Sequence, residues 1–123
     1  MRLFAFILQN VLRLIGLILL LLGFLFWSGH SFEFVPIHMG LGVALVALLW
    51  IIAGIALAAG VKPGLAVAAI LWGLLTLFFG MTMGHMLPGR AHEAIRVIHF
   101  LIGISAIGLA EMLGARIKRA VGP

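Results

Sequence analysis

Apolar residues come in four long blocks along this chain, and the polar ones gather between the blocks or towards its two ends. Pro36, Pro63 and Pro88 each lie between two blocks, where a fixed φ and a missing N–H suit a turn or the first turn of a helix. They divide the sequence into spans of about 10–29, 36–60, 64–87 and 91–115, each near the roughly 20 residues that a bilayer core requires. Strand alternation is absent, and lipid admits only helices or closed barrels. The pattern therefore predicts an all-α fold, a single transmembrane domain over 1–123 built as an integral membrane four-helix antiparallel bundle. Residues 2–9 are expected either along the interface or as an extension of a tilted first helix, because Gln9, Asn10 and Arg13 interrupt the apolar run. A cleaved leader is disfavoured: the apolar region is too long, and Trp27-Ser28-Gly29-His30 offers no small-residue cleavage site.

Composition sharpens this picture. With a mean hydropathy of +1.35 and 9% charged residues, the chain cannot supply the polar shell of a soluble domain. It has no cysteine, which removes disulfides, thiolate ligands and iron–sulfur clusters. The net charge of +5 sits at chain ends and loops, a distribution of membrane topology rather than of nucleic-acid binding. Arg2, Arg13, Lys62, Arg116, Lys118 and Arg119 fall on one side of the bundle. Arg90 and Arg96 fall on the other, offset by Glu33 and Glu93. The positive-inside rule then predicts cytoplasmic termini and, for a bacterial source, an inner-membrane protein.

A short repeat runs through the chain. The first helix ends in WSGH (27–30) and the third in TMGH (82–85), while IHMGLG (37–42) opens the second and IHFLIG (98–103) lies in the fourth. Each half reads helix, Gly-His, loop, Ile-His-x-x-x-Gly, helix, which suggests two repeated hairpins related by an axis along the membrane normal.

All five histidines, His30, His38, His85, His92 and His99, are expected near one end of the bundle, facing outward. At 100° per residue, His92, Arg96, His99, Gly103, Ala106 and Ala110 share one stripe of the fourth helix. Gly16, Gly23 and His30 share a face of the first helix, as do His38, Gly42 and Ala56 of the second. On the third, Gly73, Thr76, Gly80 and Gly84 form a stripe read as helix packing, since small residues let backbones approach. His30 and His92 read as interfacial decoration. His38 and His99 lie deeper, and an ionisable group at membrane depth marks a functional site by default.

These features predict a b-type haem ligated by His38 and His99, with His85 as a substitute partner. Gly42 and Gly103, one turn below each ligand, leave room for a flat macrocycle. Arg90 and Arg96 stand at the mouth as cationic partners for propionates, and Met39 and Phe100 adjoin the ligands. Measured from span centres, His38 lies roughly 7 Å nearer the outer surface than His99 at 1.5 Å per residue, so a shared haem requires a helix shift or uneven loops.

Two hairpins with a histidine opening the second and fourth helices, His38 and His99, resemble one half of the haem A synthase family, which is built from two such four-helix bundles with paired histidines. Glu33, ahead of His38, loosely matches that family's loop carboxylate. The chain departs from the family in lacking the second bundle and the cysteine pair of the outer loop. The resemblance implies a shared cytochrome-like scaffold rather than haem A synthesis.

Two other readings stand beside haem. Met81, His85 and Met86, with Met39 beside His38, offer thioethers and imidazole that suit Cu(I), hence a copper-binding or copper-handling protein at the outer face. A cofactor-free accessory subunit of a larger membrane complex, or an oligomer, would present Trp50 and Trp72 to a partner or to lipid. Arg13 and Glu111, at similar depth, predict a salt bridge joining the first and fourth helices. No nucleophile–base pair, carboxylate dyad, phosphate loop or catalytic zinc motif is present. An electron carrier, exchanging electrons with a quinone or another redox membrane subunit, fits better than a hydrolase or transferase.

Overall fold

A computed structural model describes residues 1–122. Four helices make up almost all of them: α1 (Arg2–Trp27), α2 (Val35–Ala58), α3 (Pro63–Thr82) and α4 (His92–Val121). Single 3₁₀ turns at Phe32–Phe34, Met83–His85 and Gly89–Ala91 complete the connections, and no strand occurs among the described residues. All four helices are long and apolar enough to cross a membrane.

The prolines act as expected. Pro36 and Pro63 occupy the first turns of α2 and α3, where no intrahelical acceptor is wasted on a missing N–H. The two tight turns close on glycines in the left-handed region, Gly29 (φ 85°) and Gly60 (φ 81°). There the N–H of His30 donates to the Leu25 carbonyl and that of Val61 to the Ala56 carbonyl, both at 2.9 Å, satisfying carbonyls that the helix ends leave free. Residues 2–9 belong to α1, which is continuous from Arg2. At the other end α4 runs on to Val121, six residues past the apolar span. Its last turns carry Arg116, Lys118 and Arg119, good helix formers that also complement the C-terminal dipole. The third span is shorter than its hydropathy, with α3 stopping at Thr82.

Each helix packs on its sequence neighbours, α1 also packs on α4, and α2 meets α4 across the middle. Residues near the end of one helix meet residues near the start of the next: Phe26 of α1 lies on His38 of α2, and Phe79 of α3 on His99 of α4.

Packing divides the bundle into unlike halves. Around the start of α1 and the end of α4, Leu12, Leu49, Ile52, Leu113 and Ile117 are completely buried, interleaved with Ala53, Ala56, Ala66 and Ala110. Here Glu111 accepts two hydrogen bonds from Arg13, Nε at 2.6 Å and Nη2 at 2.7 Å, and one at 2.8 Å from Nε2 of buried Gln9. The expected clamp between the first and fourth helices is thus present, joined by an amide. In the other half only Phe79, Ile95 and Ile102 form a buried cluster. Both tryptophans are half-buried and bond to neighbouring backbone. Trp50 Nε1 donates to the Ile70 carbonyl (3.2 Å) and Trp72 Nε1 to the Ile102 carbonyl (3.0 Å). Away from water an indole N–H needs an acceptor, and neighbouring backbone supplies one.

Candidate cofactor site

The loosely packed half borders a partly open cavity of about 630 Å³, within the range of small-molecule and cofactor sites. His38 and His99 face each other in it, their ring centroids 6.2 Å apart and their planes inclined at 53°. The depth mismatch is resolved by uneven starts. His38 is the fourth residue of α2 and His99 the eighth of α4, so α4 begins about one turn farther out and the rings become level.

Each imidazole is held by the helix that precedes its own. Phe26 of α1 meets His38 edge-on at 5.4 Å, and Phe79 of α3 stacks on His99 at 6.0 Å and 10°. The same helices present a glycine to each ring: a Cβ on Gly23 would lie 3.8 Å from His38 Cε1, and one on Gly80 3.7 Å from His99 Cε1. Glycine and phenylalanine from one helix, imidazole from the next, occur in both hairpins, but at different distances from the Gly-His pairs and with different ring geometry.

In both rings Nδ1 is sealed off without a hydrogen-bond partner. The other nitrogen, Nε2, is the one left to meet a ligand. A buried polar atom without a partner costs about 1–3 kcal/mol, and Gln9 Oε1 in the other half is in the same state.

Of the other sequence candidates, Gly42, Gly103, Arg96, Met39, Met81 and Phe100 line the cavity. His85 and Arg90 do not: both are exposed, in the connection between α3 and α4. Met86 packs against the Phe79–Ile95–Ile102 cluster, and Met81 is 62% exposed. His92, read as decoration, lines the cavity, with Nδ1 3.0 Å from the Met86 carbonyl. His30 stays at the surface beside Ser28.

The glycine stripe of α3 splits in function. Gly73 does pack, with the Trp50 indole and Val46 against it, whereas Thr76, Gly80 and Gly84 line the cavity. Periodicity alone placed all four on one face; only the neighbouring helix decides whether the space beside a glycine is filled.

At the mouth, Glu93 accepts from Arg96 Nη1 (2.7 Å) and from Trp27 Nε1 (3.0 Å), tying the end of α1 to the start of α4. No cluster of three or more His, Cys, Asp or Glu suited to a bare metal ion occurs among the described residues.

The chain matches no known protein family, no characterised protein and no solved structure.

Proposed function

We propose that the protein is an integral membrane electron carrier, an antiparallel four-helix bundle that binds one b-type haem through His38 and His99. The observation that carries this reading is the spacing of the two rings. An imidazole nitrogen sits about 2.0 Å from a first-row metal and the ring centroid about 1.1 Å beyond it, so two imidazoles sharing one metal would hold their centroids about 6.2 Å apart. The two rings stand 6.2 Å apart. Two imidazoles alone would also suit a linear Cu(I), but the size of the cavity beside them favours a macrocycle that brings its own iron. The donor set and the space therefore fit the group.

When bound, the haem supplies reversible one-electron chemistry. The chain's own residues do the rest. Phe26 and Phe79 fix the two ring planes, and Gly23, Gly42, Gly80 and Gly103 keep the space beside them clear. Apolar walls exclude water and lower the dielectric around the iron, one of the means by which a protein tunes a potential. Arg96, which lines the cavity and is bonded to Glu93, would be the cation for an acidic edge of the ligand. A quinone or a neighbouring redox subunit is the proposed electron partner.

The test is an absorption spectrum of the purified protein, as isolated and after titration with hemin. One haem per chain, with a sharp Soret band and sharp α and β bands on reduction, is expected. His38→Ala and His99→Ala should each lose the low-spin spectrum while keeping the helical circular dichroism of the parent. A parent protein that takes up no hemin, or a His99→Ala spectrum identical to the parent's, would overturn the assignment.

A further inference from the structure

At the end of the bundle opposite the histidines, charge and shape coincide. Arg2, Arg13, Lys62, Arg116, Lys118 and Arg119 make six of the eight basic residues, against a single acidic side chain, Glu111, which is already held by Arg13. Between the first turns of α1 and the last turns of α4 runs a groove of about 540 Å³ lined by Arg2, Leu3, Phe6 and Lys118. Its floor is apolar and open: Leu3 is 69% and Phe6 49% exposed. Its two cations come from different helices and are held at the groove. The Lys118 ammonium lies 5.8 Å from the centre of the Phe6 ring, and Arg2 Nη1 donates to the Gly122 carbonyl at 2.6 Å. Neither cation has a carboxylate partner among the described residues.

We infer that this groove binds one anionic glycerophospholipid, its phosphate between Arg2 and Lys118 and an acyl chain along Leu3 and Phe6. Two cations flanking an apolar floor fit a ligand that is anionic at one end and greasy at the other. A free phosphate would satisfy only the cations, and a zwitterionic lipid would bring its own ammonium into a field that is already positive. Cations at a membrane surface each contribute about a fivefold gain in affinity for anionic lipid. The inference rests on the membrane placement proposed above and is independent of haem.

The experiment uses the full chain purified from membranes. Native mass spectrometry follows retention of dioleoyl phosphatidylglycerol against dioleoyl phosphatidylcholine. One retained phosphatidylglycerol per chain is expected. Arg2→Gln with Lys118→Gln should weaken it about thirtyfold, as removal of two surface cations implies. Arg116→Gln with Arg119→Gln removes the same charge from the same end outside the groove and should retain the lipid. Equal loss in both double variants, equal retention of phosphatidylcholine, or a thermal shift reproduced by inorganic phosphate alone would each overturn the site. Extraction of the chain from membranes by carbonate, without detergent, would instead overturn the membrane placement on which it rests.

Discussion

At the Gln9–Glu111 end of the bundle, side chains of unequal size interlock until Leu12, Leu49 and Leu113 have no exposure at all. At the His38–His99 end, the same four helices stand around empty volume. The polar groups follow this division only in part. Glu111 collects three hydrogen bonds from Arg13 and Gln9, but Gln9 Oε1 is buried without a partner, as is Nδ1 of each imidazole of the facing pair. Composition does not separate the halves, since both are rich in leucine and glycine. Particular glycines show the contrast: Gly114 has the Gln9 amide against it and Gly73 the Trp50 indole, whereas Gly42 and Gly103, on the cavity wall, have nothing within 4 Å of where a Cβ would stand.

The largest effect that separates the halves comes from truncating a leucine in each. Leu49→Ala opens a void in a close-packed region and should destabilise the protein by about 2–5 kcal/mol. Leu77→Ala, on a wall that already borders the cavity, loses transfer energy with no new void and should lose under about 2 kcal/mol. Reversible denaturation in mixed micelles, without ligand, measures both. Equal losses would mean that the second half is packed in solution and that the division does not exist.

Glycine substitutions sharpen the contrast with opposite signs. A Cβ on Gly114 would stand 2.6 Å from Gln9 Cδ and Nε2, inside contact distance of a buried amide that is itself hydrogen-bonded, so Gly114→Ala should destabilise by about 1–3 kcal/mol. Gly42→Ala meets nothing, and the gain in helix propensity should stabilise the ligand-free protein by up to about 1 kcal/mol. Gly42→Leu would go further and fill the cavity, keeping stability while excluding hemin. Destabilisation by Gly42→Ala would show that this glycine serves packing after all.

Much of this organisation is legible in the sequence, and the exceptions have physical causes. Proline positions and apolar blocks mark the four helices because backbone satisfaction leaves a greasy chain few alternatives. The stripe His92–Arg96–His99–Gly103 falls into the cavity because helical periodicity is rigid over three turns. The relative height of His38 and His99 is not legible, since it depends on where α4 starts after two 3₁₀ turns that leave no hydropathy signal. The clamps Phe26 and Phe79 are equally hidden among the other phenylalanines. The repeat that pairs WSGH with TMGH does not locate them, since Phe26 stands three residues and Phe79 five residues before the glycine of the Gly-His pair.

The smallest effect is expected at the most conspicuous contact. The Arg13–Glu111 pair is bidentate and short, yet the two side chains are 46% and 36% exposed, and solvent-accessible pairs typically contribute about 0.2–1 kcal/mol. A double-mutant cycle of Arg13→Met and Glu111→Gln should return a coupling in that range, falling as salt is raised. Glu111→Gln alone keeps a carbonyl oxygen to accept from Gln9, so it should disturb the core less than Arg13→Met, which leaves a carboxylate beside a buried amide. A coupling well above about 2 kcal/mol, insensitive to salt, would place the pair in a low-dielectric setting. The clamp would then anchor the packed half in its own right, and interlocking of leucine and alanine would no longer suffice to explain why this end is closed while the histidine end stays hollow.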